Sequence, residues 1–526
     1  MPHMPIISDA EKPCDLLVVG GGINGCGIAR DAAGRGLTVM LCEQDDLAAH
    51  TSSASTKLIH GGLRYLEQWH FRLVRKALQE REVLLASAPH LIRPLRFVMP
   101  HDSHLRPMFE IRAGLFLYDH LAPRRRLAAS QTLDLHRHPA GSGLDPRFRK
   151  GFIYSDAWAD DARLVVLNAR DAAEHGATVL PHVRCEHAER RADVWRIRLV
   201  PTTGEGPATT VHARALVNAA GPWAAAFLRE RTSLGTHRTV RLIKGSHIVV
   251  PQIFRHRFAY IFQNTDRRIV FAIPYEREFT LIGTTDVDYH GQPQDLQISA
   301  PEVDYLCATV NRYFIRQISA RDVVHSYAGV RPLLEDESAD PARVTRDYAL
   351  ELDAQGAPLL SVFGGKITTF RRLAEEAVDR LCQALKVDAA PWTQLAVLPG
   401  GDLPGASLAV FLRAMARRLP WLPAAVRERY ARAYGTRIIR LVGAARNLSM
   451  MGEEVLPGLY EREIDYLCGY EWASTARDIL WRRSKLGLHL PPGSEARLDS
   501  WLADRGLGVA GQIVAQRPHR AATPEP

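Results

Sequence analysis

The sequence predicts the α/β class: a Rossmann-type nucleotide-binding domain made of discontinuous segments, a mixed antiparallel-sheet substrate domain and a C-terminal all-helical cap domain. Three observations predict it. A strand–glycine turn–helix–strand unit, DLLVVGGGINGCGIARDAAGRGLTVMLCE, occupies residues 15–43. Many short strands lie between 177 and 290, among them ATVLP, VWRIRLV, HIVVP and FTLIGTTD. From about residue 406 onward the pattern is helical only.

In the opening unit, residues 15–19 read as a short apolar strand. Residues 23 to about 35 read as a helix with Ile28, Ala29, Ala32 and Ala33 available to pack, and 37–42 as a second buried strand. Residues 71–88 are expected to be helical, with Phe71, Val74 and Leu78 on one face, and 106–121 form a further candidate helix. A second mixed β region spans 320–365, followed by a strong helix over 368–385. Pro391, Pro399, Gly400, Gly401, Pro404 and Gly405 mark a linker, and the final RPHRAATPEP is expected to be disordered.

Composition excludes several classes. With 46% hydrophobic and 24% charged residues in 526, the chain is neither a disordered tract nor a rod. Seven scattered cysteines with no CxxC pair give no disulfide framework and no structural zinc site, so no metal is expected. Cys26 and Cys42, near the glycine turn, read as small buried hydrophobes. The net charge of +9 fits an anionic substrate, an anionic membrane surface or nucleic acid. The basic residues are dispersed, without a basic–aromatic tract, which argues against nucleic acid. No run of 18 apolar residues occurs and residues 1–13 have no apolar signal core, so a cytoplasmic protein with at most peripheral membrane contact is expected.

Gly20, Gly22 and Gly25 form G-x-G-x-x-G between strand and helix. The first permits the tight turn, the second lets backbone approach a pyrophosphate, and the third allows close helix–strand packing. The phosphates then sit at the positive helix N-terminus. Glu43 closes the second strand and can accept hydrogen bonds from a ribose hydroxyl. Two later segments favour FAD over NAD. ALVNAAGPWA ends a strand in a turn at Gly221. SVFGGKITTF sets Gly364 and Gly365, with Thr368, before a helix whose N-terminus can face the pyrimidine edge of a flavin, where reduction builds negative charge.

The segments GGGINGCGIARDAAGRGL, TSSASTKLIHGGLRYLE, RLIKGSHIVVP, IGTTD, YAGVRPL, TRDY, FGGKITTF and EWASTARDILWRRSKLG closely resemble the FAD-dependent glycerol-3-phosphate dehydrogenases of aerobic bacteria, from about residue 15 to 500. The resemblance implies oxidation of sn-glycerol 3-phosphate to dihydroxyacetone phosphate, with electrons passing through FAD to ubiquinone or another membrane quinone. It implies a homodimer, peripheral or monotopic on the cytoplasmic side of the inner membrane. It divides the chain into FAD-binding parts at 15–85, 156–235 and 326–388, substrate-domain parts at 86–155 and 236–325, and a cap at 400–516.

Such a reaction needs a base near the substrate hydroxyl and cations around the phosphate, for which the arginine fork is suited. The resemblance matches Arg331 and Arg346 to the phosphate site and puts Arg64, Tyr65 and Lys366 at active-site positions. It places Ser52 and Ser53 along the FAD pyrophosphate and ring. His60 is the first candidate for the base, His247 the second and Lys244 the third. Alternatives are an oxidase passing electrons to oxygen and a related FAD-dependent 2-hydroxy-acid or amine dehydrogenase. Residues 105–126, LRPMFEIRAGLFLYDHLAPRRR, are the candidate membrane contact: Met108, Phe109, Leu115, Phe116 and Tyr118 toward lipid, Arg112 and Arg124 to Arg126 toward anionic headgroups.

Overall fold

The computed structural model describes residues 12–508 except 103–105, 204–205, 233, 235–238, 265, 267 and 335–346. Its first layer is an eight-stranded sheet. Five strands are mutually parallel, in the order Leu359–Phe363, Thr209–Asn218, Cys14–Val19, Val39–Cys42 and Thr178–Leu180. Ala349–Asp353 closes one edge antiparallel, and the hairpin Val183–Arg190/Trp195–Pro201 curls off the Thr209–Asn218 strand. Alternation along the first strand decides the packing. Leu16 and Val18 meet the helices Ile23–Gly34, Asp161–Glu174 and Phe370–Leu385, while Leu17 and Val19 meet Trp195, Ile197, Leu199 and Phe227. The sheet is therefore buried on both faces, as its apolar strands require.

The second layer is a ten-stranded mixed sheet. One of its edges is His325–Leu334, which lies along the long strand Val240–Pro251; the other side of that strand carries both Phe279–Gly283 and Val287–Tyr289. The strands Ile92–Pro100 and Lys150–Ala159 extend it. The helix Ala300–Asn311 covers one face, and the helices Phe71–Ser87 and Met108–His120 cover part of the other. Two strands depart from the division expected from sequence. Leu58–Ile59 and His325–Leu334, assigned to FAD-binding parts, pair within this second sheet. The chain crosses between layers inside those segments, which is how both sheets contribute to one cavity.

The C-terminal unit is helical, from Leu408–Arg418 to Ser494–Asp504, but not purely so: Glu454–Leu456 and Leu459–Tyr460 form a small hairpin. It is held to the first layer by buried ion pairs. Arg163, on the Asp161–Glu174 helix, grips Glu471, and Asp46 accepts from both Arg482 and Arg483. Arg163 and Glu471 are both fully buried, so removing one partner would leave a bare charge in the interface. The end of the expected cap, 509–516, and the tail lie outside the described residues.

Candidate active site

One cavity of about 470 Å³ runs between the two layers, along the carboxyl ends of the parallel strands. Its first end is built from the opening turn. Gly20 adopts φ 113°, and a Cβ there would sit 2.5 Å from the Ala219 carbonyl oxygen; one on Gly25 would sit 1.9 Å from the Gly20 oxygen. Gly20 and Gly22 line the cavity, while Gly25 packs the helix onto the turn behind it. Glu43 accepts the Gly21 amide at 2.6 Å and the Asp45 amide at 2.9 Å, and burial raises its pKa. The Ile23 amide, at the helix start, donates to Ser52 Oγ at 3.0 Å.

The other end collects side chains from five separated segments. His60, Arg64 and Tyr65 come from 60–65, and His247 from the strand Val240–Pro251 of the second sheet. Thr284 and Asp286 follow the neighbouring strand, Arg331 comes from His325–Leu334, and Gly364, Gly365, Lys366 and Thr368 close the site. Arg331 donates to Asp286 at 2.6 Å and to Thr284 Oγ1 at 3.3 Å. The Lys366 ammonium stands 4.0 Å from the centre of the Tyr65 ring. The His60 amide donates to Thr368 Oγ1 at 3.2 Å. Gly283 is needed for His247: a Cβ there would lie 2.1 Å from the imidazole. His247 stacks on Tyr327 at 4.8 Å, and its Nε2 lies 2.9 Å from Thr56 Oγ1.

Both imidazoles are held neutral. Burial lowers the pKa of His60, assisted by the positive charges of Lys366, Arg331 and Arg81 and opposed by Asp156. Burial likewise lowers that of His247, with Lys57 and Arg331 acting in the same direction. A neutral imidazole can accept a proton, which is the state a general base needs.

Some expected residues are placed elsewhere. Lys244 does not line the cavity; it pairs with Glu302 at 2.6 Å and donates to the Gln297 carbonyl, because its strand position points toward the Ala300–Asn311 helix. Ser53 also faces away, its hydroxyl bonded to the His50 carbonyl. Arg346 lies outside the described residues. Ser52 and Gly221 line the cavity. Of the expected membrane face, residue 105 lies outside the described residues, and Leu115 and Tyr118 are buried against the second sheet. Of that set Phe109 and Phe116 do face outward, joined by Leu117, with Phe109 73% exposed.

Sequence reasoning missed Asn24, Thr56, Thr284 and Asp286, all on the cavity wall. Asn24 sits inside the quoted glycine motif, and the IGTTD segment contains Thr284 and Asp286, so position within the motifs was an available signal. Among the described residues Glu43, Asp45 and His50 are close enough to share a metal ion, but both Glu43 oxygens already accept amides and Asp45 pairs with His50 at 2.7 Å.

The cavity suits an extended dinucleotide. Gly20 and Gly22 clear the wall at one end, Gly364 and Gly365 at the other. Two buried polar atoms in between, Asn24 Oδ1 and His247 Nδ1, have no hydrogen-bond partner among the described residues, an arrangement that native proteins rarely leave without a further ligand. Fold and site together define a flavin-dependent oxidoreductase. The chain belongs to the family of FAD dependent oxidoreductases (DAO), whose pattern matches residues 15–371, and FAD is its cofactor. It is 55% identical over 503 residues to a glycerol-3-phosphate dehydrogenase of Pseudomonas aeruginosa, covering 95% of this chain and 97% of the relative. It is 48% identical over 497 residues to D-erythritol 1-phosphate dehydrogenase of Brucella abortus, covering 94% and 99%. The crystal structure of glycerol-3-phosphate dehydrogenase from Bacillus halodurans, complexed with FAD, matches with a TM-score of 0.76 at 28% identity, over 96% of this chain and 93% of that one.

Proposed function

We propose that this protein oxidises the secondary hydroxyl of sn-glycerol 3-phosphate to the ketone of dihydroxyacetone phosphate and delivers the electrons to a membrane quinone. The observation that carries the reading is the gathering of Arg64, Arg331 and Lys366 around His60 at one end of a cavity whose other end is the glycine turn. Three cations suit a phosphate dianion, and a neutral imidazole suits the departing hydroxyl proton.

FAD, when bound, supplies the two-electron acceptor. Gly20, Gly22 and Ser52 would hold its pyrophosphate, Glu43 its ribose, and Gly364, Gly365 and Thr368 the ring. Arg331, steadied by Asp286, receives the phosphate together with Arg64. His60 accepts the hydroxyl proton, with its backbone fixed by Thr368. Lys366, over Tyr65, balances the negative charge that develops as the substrate is oxidised.

The relatives named above act on two different phosphorylated polyols, so the substrate is the sharpest point to test. Under anaerobic conditions, glycerol 3-phosphate should bleach the yellow flavin at lower concentration than D-erythritol 1-phosphate, and glycerol should not bleach it at all. Preference for the longer polyol would reassign the substrate within the same chemistry. Turnover that makes stoichiometric hydrogen peroxide in air would replace the quinone by oxygen.

The quinone places the protein at a bilayer. No helix among the described residues is long and apolar enough to cross one. Phe109, Phe116 and Leu117, with Arg125 and Arg126 exposed beyond the helix, form the proposed lipid-facing surface on the cytoplasmic side of the inner membrane, in a homodimer. Flotation with anionic vesicles should recover the protein, and Phe109→Ser/Phe116→Ser should abolish that recovery without lowering turnover with a soluble dye.

A further inference from the structure

Behind the wall that carries His60 and Arg64 lies a buried polar cluster that the chemistry above does not use. The Gly61 amide donates to Tyr118 Oη at 2.8 Å. Tyr118 in turn donates to Asp156, its Oη lying 2.7 and 2.8 Å from the two carboxylate oxygens. Arg81 Nη1 binds the same carboxylate at 2.5 Å and the Ser155 carbonyl at 3.0 Å. Asp156 and Tyr118 are 2% exposed and Arg81 1%. The three come from three elements: Arg81 from Phe71–Ser87, Tyr118 from Met108–His120 and Asp156 from Lys150–Ala159.

We propose that Asp156, Tyr118 and Arg81 are positioning residues, which through the Gly61 amide hold the His60–Arg64 segment at the distance from the cavity that the reaction requires. This rests on the reading of His60 and Arg64 as substrate-facing groups. Two features support it. The segment is seated directly on the cluster: a Cβ on Gly61 would lie 2.7 Å from Tyr118 Oη and 2.5 Å from Leu78 Cδ2, so only glycine allows the approach. The next residue, Gly62, has φ 75°, and a Cβ there would meet the Tyr65 ring at 2.4 Å. With Gly61 anchored and Gly62 turning, the Leu63–Leu66 helical turn has its direction set, and with it Arg64 and Tyr65. Asp156 thus sits between the Arg81 guanidinium and the Tyr118 hydroxyl, in a setting that includes Tyr154 and Leu78. That carboxylate raises the pKa of His60 against burial and the charges of Lys366, Arg331 and Arg81, and Phe271 meets the ring edge-on.

The test uses flavin-loaded protein. Tyr118→Phe removes the nearer acceptor of the Gly61 amide, leaving Asp156 Oδ1 at 3.4 Å, and keeps the Asp156 charge. Its kcat should fall about tenfold and its KM for glycerol 3-phosphate should rise, because Arg64 is displaced with His60, while the flavin-to-protein ratio stays unchanged. Asp156→Asn keeps the shape and removes the charge. The acidic limb of its kcat/KM profile should move to lower pH, because His60 loses an anion that favours its protonated form. A structural prop alone would leave that limb in place. Wild-type kcat in Tyr118→Phe together with an unshifted limb in Asp156→Asn overturns the proposal. His60→Asn separates this from the underlying reading: if the acidic limb persists without the imidazole, His60 is not the base, and the Tyr118→Phe kcat alone decides whether the segment is positioned by the cluster.

Discussion

The two ends of the cavity are made by opposite means. The dinucleotide end is mostly contiguous backbone: glycines 20 and 22, the first amides of one helix, and one carboxylate that bonds to the turn itself. The substrate end is mostly polar side chains, four of them charged, brought from residues as far apart as Arg64 and Lys366. Recognition through backbone needs a fixed local geometry, so its residues must be neighbours in sequence. Recognition through charge needs counter-ions and distance, which only the assembled layers supply. The first end should therefore fail all at once when its geometry is spoiled, and the second should fail by degrees.

Four experiments bear on that contrast. Gly25→Val is expected to have the largest effect: the added carbon would overlap the Gly20 oxygen, so the turn must open and purified protein should lack flavin absorbance. Normal flavin content would mean the close approach is dispensable. Arg331→Ala comes next. Losing one partner of a charge-assisted contact costs about 2–5 kcal/mol, or roughly 30- to 5000-fold, and the loss should appear in KM with full flavin retained. Asp286→Asn leaves Arg331 in place but unsteadied, and a hydrogen bond's usual net value of about 0.5–1.5 kcal/mol puts KM up roughly twofold to tenfold. An unchanged KM would show that Thr284 suffices.

The smallest effect concerns acid. His60 and His247 have folded pKa values below the ordinary histidine value of 6.5. As pH falls through that value, the unfolded chain takes up protons that the folded chain refuses, so stability is full above it and declines below it. In calorimetry, His247→Gln should lose less Tm than wild type between roughly pH 7.5 and 5.5. An equal loss would assign the acid sensitivity to other groups, such as buried His90, whose pKa burial lowers to about 3.

The same contrast explains what was legible in the sequence. The glycine turn, Glu43 and both flanking strands are local, and the structure has them where the pattern put them, with Ile23–Gly34 as the helix between. His60, Arg64, Tyr65, His247, Arg331 and Lys366 reach the cavity because whole motifs, rather than lone residues, pointed there. Lys244 and Ser53 misled. In a strand, successive side chains alternate faces, so Lys244 and His247, three apart, face opposite ways; Ser53 lies in a short helical turn whose neighbours Ser52 and Ala54 take the wall. Asp156 carries no local mark, since its role depends on which arginine the fold sets beside it. The small hairpin at Glu454–Tyr460 interrupts a helical region with only five strand residues, too short for periodicity to register.

The discontinuity of the first sheet has a further consequence, for biosynthesis. Its first strand acquires its neighbour Thr209–Asn218 only after nearly two hundred further residues, and the glycine turn meets Gly364 and Gly365 only after about 350. At a translation rate of ~5–20 residues per second, roughly 20–70 seconds separate the emergence of the two ends of the cofactor site. Through that interval the nascent chain holds a hydrophobic strand such as LLVV without its final partners, and flavin has only half a site to grip. The complete site therefore exists only once the chain has been made through Thr368.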